Sequence, residues 1–276
     1  MENNSLAKNI SKGIRGRLRF LSENPYRKVN VNWLTLKYYK HLPPGKLRTH
    51  RLFGQLLYFY SATELLHGFE EIFIQEIYKQ SLGEKPYILD CGANIGLSVI
   101  YLKHQFPDAE IVAFEPDEKN FDLLSRNIKS FGYTGITLCK EAVWKEQTIL
   151  HFSNEGSMSS KIQTGQHNGT VSVPAIRLKD RINRPIDFLK IDIEGAEYEV
   201  LRDIANDLHF VNNLFLEYHG SFAQNRELTE LFNIIQSCGF NYYIKEATSV
   251  YATPFYRKPR PGMSYDVQLN IFCFRQ

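Results

Sequence analysis

The sequence predicts an α/β fold built on a mostly parallel sheet, and three observations predict it. From Pro86 onward, short apolar runs alternate with segments of helical periodicity, the pattern of successive β-α-β units. The run "YILDC" stops at an acid and leads through "GANIG" into a helix, and sheets of this kind take their ligands at the carboxyl ends of their strands. The last two apolar runs, "FNYYIKEA" and "VQLNIFCFR", have no helical pattern between them, which predicts antiparallel neighbours at the sheet edge.

The elements follow in order. Residues 1–83 form an N-terminal extension and cap, punctuated at "HLPPGK". Within it "THRLFGQLLYFY" reads as two strands about Gly54, and "EEIFIQEIYKQ" as a helix turning Ile72, Phe73, Ile77 and Tyr78 inward. The main domain, 84–276, opens with the strand "YILDC" and the helix "GLSVIYLKHQF", stopped by Pro107. "AEIVAFE" is the next strand. In the helix after it Phe121, Leu124, Ile128 and Phe131 recur at helical spacing, with Asp117 as cap and Gly132 as stop. "GITLCKEAV" is the third strand. The helix expected next is replaced by a small β insertion at about 145–181, with "TILHFS" and "VSVPAI" flanking a polar loop. Alternation resumes with the strand "IDFLKIDIE", the helix "AEYEVLRDIAND", the strand "VNNLFLEYH" and the helix "NRELTELFNIIQSCG".

Composition is ordinary for a globular chain, with 43% hydrophobic and 23% charged residues among 276. A net charge of +3 is too small to imply nucleic acid as a partner. The basic residues are uneven, however: Lys8, Lys12, Arg15, Arg17, Arg19, Arg27 and Lys28 crowd the N-terminus. They read as a solvated arm or as a peripheral contact with a phosphate-rich or membrane surface. No run is long enough to span a bilayer and no signal-peptide core follows, so a cytoplasmic location is expected. Cys91, Cys139, Cys238 and Cys273 are far apart, which signals neither zinc nor a disulfide framework.

The chemistry gathers at strand ends. Gly92 and Gly96 allow a tight turn and close approach of a ligand, and the following helix offers free N–H groups. The spacing does not match the dinucleotide fingerprint G-x-G-x-x-G: Asn94 takes the middle glycine's place, which argues against an NAD-dependent oxidoreductase. Asp90, immediately before the loop, suits a ligand ammonium better than a pyrophosphate, which points to S-adenosylmethionine. Glu115 ends the next strand, where a carboxylate accepts from ribose hydroxyls. Glu141 and Ala142 follow the third strand, toward an adenine. In "KIDIEGAE", Asp192 ends a buried strand beside Glu194, while Glu197 at the helix start reads as structural. Lys190 shares a sheet face with Asp192, either pairing with a carboxylate or snorkelling. "LEYH" adds Glu217 and His219 on one face. Two chemistries suit this set: Asp192, Glu217 and His219 as ligands for Mg²⁺ or another divalent cation, or His219 or an acid as general base.

With "DCGANIG", "FEPD", "SMSS" and "LKIDIEGAEYEVL" placed, the chain resembles the FkbM family of S-adenosylmethionine-dependent methyltransferases over roughly Glu70 to Phe240. The resemblance implies the class I methyltransferase fold, Rossmann-like, with a seven-stranded sheet whose last strand is antiparallel. It implies a cofactor site of Asp90, Gly92, Ala93, Asn94, Gly96, Glu115, Pro116, Glu141, Ala142 and Asp192, and a catalytic set of Asp192, Glu194, Glu217 and His219. It further implies O-methylation of a hydroxyl on a sugar, glycan or related metabolite, often in polysaccharide biosynthesis. His219 is not the acid usual at the metal-binding position of related sugar methyltransferases. A non-catalytic, cofactor-binding partner of a membrane-associated assembly is the alternative, disfavoured by the intact acidic cluster.

Overall fold

The computed structural model describes residues 24–153, 162–163, 170–257 and 265–275. Among the described residues of the extension, a 3-10 turn, Pro25–Val29, precedes a short helix, α1 (Trp33–Tyr39), whose start is capped by Asn32 Oδ1 accepting from the Thr35 N–H. The hairpin β1 (Arg48–Leu52) and β2 (Gln55–Phe59) follows, turning at Gly54 as the sequence predicts. Helix α2 (Ala62–Gly68), capped by Ser61, was not foreseen. It runs into a π-helical segment, Phe69–Ile74, so the helix expected through Gln80 ends at Ile74. The wider π turn still buries Phe73, and Tyr78 beyond it is buried as well.

The main sheet takes β3 (Tyr87–Cys91), β4 (Glu110–Phe114), β5 (Ile136–Cys139), β10 (Ile186–Ile191), β11 (Val211–Gly220), β12 (Asn241–Glu246) and β13 (Val267–Phe274). Its order is β12-β13-β11-β10-β3-β4-β5, with β13 antiparallel to both neighbours and β3, β4, β5, β10 and β11 mutually parallel. This is the class I methyltransferase sheet. The strand order reverses beside β3, which opens a crevice at the carboxyl ends of β3, β4 and β10.

The third predicted strand divides. β5 ends at Cys139, and β6 (Ala142–Trp144) leaves the main sheet to pair with β9 (Thr170–Arg177). With β7 (Thr148–Ser153) and β8 (Ile162–Gln163) these make a four-stranded sheet, order β6-β9-β7-β8, in the position of the expected insertion. The "SMSS" motif lies outside the described residues.

Helix α3 (Leu97–Gln105) is buried from Leu97 through Lys103 and lacks a solvent face, because the extension covers the side turned away from the sheet. Phe73 meets Tyr101 edge-on at 5.6 Å, and Phe53 stacks on His104 at 3.9 Å. Helix α4 (Glu118–Phe131) is amphipathic, capped by Asp117 and stopped by Gly132 in the left-handed conformation. Helices α5 (Glu197–Ile204) and α6 (Asn225–Ser237) cover the opposite part of the sheet. One continuous apolar core joins Val29, Leu52, Phe59 and Phe69 of the extension to Ile88, Ile100 and Phe215 of the sheet domain. The cysteines are free, with Cys91 and Cys273 buried. Among the described residues no helix is long and apolar enough to cross a membrane.

Candidate functional site

The first loop turns through three left-handed conformations at alternate positions. Gly92 and Gly96 adopt φ of 91° and Asn94 one of 48°. Asn94 is suited to the left-handed region because its Oδ1 accepts locally, here from the Ile95 N–H at 2.7 Å. Gly92 is sterically obligatory: a Cβ there would stand 1.8 Å from the Asp192 carbonyl oxygen. The loop after β3 is thus pressed directly on the loop after β10.

A buried lysine stitches the two together. Register pairs Lys190 with Asp90 across β10 and β3. Lys190 Nζ donates to the Gly92 carbonyl at 2.8 Å, and lies 3.2 Å from Asp90 Oδ1 and 3.3 Å from Asp192 Oδ2. Burial works to lower the Lys190 pKa, and the Asp90 and Asp192 carboxylates outweigh it, holding the ammonium charged. The sequence reading left pairing and snorkelling open; pairing is what occurs.

Asp90 faces the protein interior. Its carboxylate is fully buried, with Oδ2 accepting from Ser98 Oγ at 2.5 Å and Oδ1 facing Lys190. The carboxylate that the sequence reading offers to a ligand ammonium is paired with Lys190, which in turn bonds the Gly92 carbonyl of the loop.

Glu115 closes β4 beside the same loop. Its two oxygens accept from the Asn94 N–H at 2.8 Å and the Asp117 N–H at 2.9 Å, which fixes the carboxylate in one orientation. Burial pushes its pKa up to about 7 against the lowering effect of those bonds. Ala93 is buried, and Pro116 sits between Glu115 and the helix cap. Glu141 and Ala142 follow β5, whose Cys139 carbonyl accepts from the Glu115 N–H. Glu141 is half-buried with the Arg181 guanidinium 4.0 Å away, and Ala142 is buried at the start of β6.

The second half of the site is centred on His219. Its Nδ1 is 3.1 Å from Glu197 Oε1, and Glu197 also accepts from the N–H groups of Ile193 and Gly195. Glu197 is structural, as read, and it also fixes the imidazole. The other nitrogen, Nε2, faces Glu217 Oε1 at 3.5 Å and Glu194 Oε2 at 3.7 Å. One donor atom each from Asp192, Glu194 and His219 lies within 4.8 Å of the others. That grouping substitutes Glu194 for the Glu217 of the sequence-derived metal set. Glu194 occupies the left-handed region at φ 57°, a conformation that persists only when its surroundings hold it. Its carbonyl accepts from Tyr265 Oη at 2.6 Å, and the Tyr265 ring lies 5.0 Å from that of His219.

The electrostatics follow from crowding like charges in a half-dry crevice. Burial raises the Glu194 carboxyl to about 8, with neighbouring carboxylates adding to the rise and His219 opposing it. Glu217 is raised by burial and by Asp192. Burial works to lower His219, and its Glu197 and Glu217 partners override this, raising it well above the ordinary range.

Sequence reasoning missed Tyr265 and, more consequentially, Glu71. Burial, with the Glu217 and Asp192 carboxylates adding to it, raises Glu71 to about 7, so the extension's π-helical segment contributes an acid to this electrostatic cluster. The only signal in the sequence was the acidic pair Glu70-Glu71 ahead of an apolar run. Tyr251 bonds Asp266 at 2.5 Å and stacks with Phe222, and Tyr256 is exposed.

The comparisons bear on this arrangement. Methyltransferase 1 of Beauveria bassiana (strain ARSEF 2860) is 27% identical over 199 residues, covering 60% of this chain and 79% of that protein. Methyltransferase sdnD of Sordaria araneosa is 30% identical over 199 residues, covering 58% and 77%. The hexuronic acid methyltransferase AglP of Haloferax volcanii is 27% identical over 164 residues, covering 54% and 62%. Residues 90–242, spanning both loops and the His219 cluster, match the methyltransferase FkbM domain, and the chain belongs to the FkbM family of methyltransferases.

Proposed function

We propose that the protein transfers a methyl group from S-adenosylmethionine to a hydroxyl oxygen of a sugar, glycan or related small metabolite. The observation that carries this reading is the Lys190 hub, which locks the glycine loop against the strand end bearing Asp192, so that a donor seated on one is held in fixed register with an acceptor facing the other. The residues present fit the donor: Glu115 has its carboxylate fixed by two backbone bonds, with lone pairs left for a ribose diol, and the loop closes without side-chain bulk at Gly92. Bound S-adenosylmethionine supplies a methyl group on a sulfonium, whose departing thioether is already a good leaving group. The chain has then to align the acceptor oxygen and take its proton. The Glu217 and Glu194 carboxylates, when ionised, form the proton-accepting group beside the His219 imidazolium, which Glu197 holds by Nδ1. Support for a sugar acceptor comes from AglP, described as acting on a hexuronic acid.

A second reading is favoured by one observation, the grouping of Asp192, Glu194 and His219 donors. These would hold a divalent cation, which would lower the acceptor hydroxyl's pKa. One experiment separates the readings: methyl transfer from labelled S-adenosylmethionine to a panel of nucleotide sugars, hexuronic acids and small polyhydroxylated metabolites, with and without chelator. Transfer that survives chelation assigns the proton to the side chains. Loss on chelation, restored by Mg²⁺, assigns the cation. Absence of donor binding by calorimetry would refute both.

A further inference from the structure

We propose that the N-terminal extension docks the protein on an anionic lipid surface through the outer face of α1. The inference is independent of the acceptor and rests on how charge and apolar area are distributed. The first 63 residues carry twelve Lys and Arg against two Asp and Glu, and the remaining chain carries 21 against 28. From Asn24 to Thr63 there is no acid at all. Segregation of this kind, in a chain of nearly balanced total charge, marks the extension as the face that meets a polyanion.

The kind of polyanion follows from what lies among the cations. Leu34, Lys37 and Tyr38 recur at the i, i+3 and i+4 positions of α1 and line one open groove with His41 and Leu42 just beyond the helix. Leu34 is 69% exposed, Tyr38 61%, and Leu47 beyond the turn 44%. Lys37, Lys40 and Lys46 meet no carboxylate among the described residues, and Lys37 Nζ stands 5.4 Å from the centroid of the Trp33 ring. Exposed leucines offer nothing to a phosphodiester backbone and cannot stack on bases, whereas they partition into the headgroup and acyl boundary. Lysines there meet lipid phosphates, and Trp and Tyr sit at the interface. The chain's own first residues are the wrong occupant, because Lys8, Lys12, Arg15, Arg17 and Arg19 carry the same sign as the groove.

The test is flotation of the full-length protein with vesicles of phosphatidylcholine alone and of phosphatidylcholine mixed with phosphatidylserine. Binding is expected only to the mixed vesicles, weakening steeply with salt. About tenfold is expected to be lost in Lys37→Glu, and binding is expected to fall severalfold in Leu34→Ser. Both positions are exposed, and unchanged donor binding by calorimetry would confirm that the variants are folded. Equal binding to neutral vesicles, or full binding by both variants, would overturn the proposal. So would a dimer in sedimentation velocity that Leu34→Ser dissociates, since a second copy would then be the occupant. Tight binding of RNA, released by Lys37→Glu, without vesicle binding would overturn it in favour of nucleic acid.

Discussion

Lys190 is the residue on which the site's two halves depend, and its environment sets the consequence of losing it. Lys190→Met would leave Asp90 charged, fully buried and bonded only to Ser98, while removing the bond to the Gly92 carbonyl. Breaking one partner of a buried ion pair costs about 3–5 kcal/mol. The variant is therefore expected to melt about 10 °C lower and to bind S-adenosylmethionine poorly. Adding Asp90→Asn should restore much of the melting temperature without restoring donor affinity. A double mutant no more stable than the single would show that the pair is not the source of the loss. Glu197 makes a different prediction, because it touches His219 and the backbone of the turn. Glu197→Gln keeps the volume and loses the charge that raises the imidazole's pKa. The basic limb of the kcat profile should move to lower pH, with kcat falling about 10- to 100-fold and KM for the donor little changed. An unshifted profile would leave Glu197 a purely structural cap.

At the scale of elements, the extension is attached by packing and, at its hairpin, by a buried polar clamp. Asn127 of α4 is fully buried; its Oδ1 accepts from the Tyr58 N–H of β2 at 2.7 Å, and its Nδ2 donates to the Tyr58 carbonyl and to the Ile95 carbonyl at 2.8 Å. One side chain therefore pairs the hairpin to α4 and pins the far end of the glycine loop. Asn127→Leu would orphan three backbone groups, and is expected to cost about 2–4 kcal/mol and to raise amide exchange in β2 and the 92–96 loop together. Exchange confined to β2 would show that the loop does not depend on the clamp. This coupling marks the boundary of what was legible in the sequence. Strand-helix alternation, the caps of α4, the edge hairpin and the strand ends bearing Asp192 and His219 are local patterns and could be read. The Lys190–Asp90 pair becomes certain only when β10 is known to lie beside β3, a fact of strand order. The π-helical segment is invisible to a periodicity of 3.6, which is why Glu71 escaped. The lysine partner of Asp90 was not legible because an acid before a glycine loop looks the same whether it faces a ligand or a lysine.

The molecule as a whole carries carboxyls whose protonation opposes stability to ligand binding. Glu115 sits at about 7 when folded, against an ordinary value of 4.5, because burial penalises its charge, and Glu71 is raised to about 7 mainly for the same reason. Between pH 4.5 and 7 the folded protein therefore binds more protons at these groups than the unfolded chain does. Stability must then fall as pH rises through that window, and level off above it as far as these groups decide. Donor binding is expected to run the other way, since hydroxyl protons of a ribose diol favour the ionised Glu115 and only the ionised form accepts with both oxygens. The unliganded protein is thus expected to melt several degrees higher at pH 5.5 than at pH 8, and its affinity for S-adenosylmethionine to rise severalfold over the same interval. With the donor in excess, the melting curves at the two pH values should converge, because binding contributes more where the empty protein is weaker. Glu115→Gln removes the titrating group and is expected to flatten both dependences at once, leaving weak, nearly pH-independent donor binding. A Gln variant that kept the parental affinity profile while losing only the stability slope would separate Glu115 from the donor and return the ribose contact to another residue of the crevice.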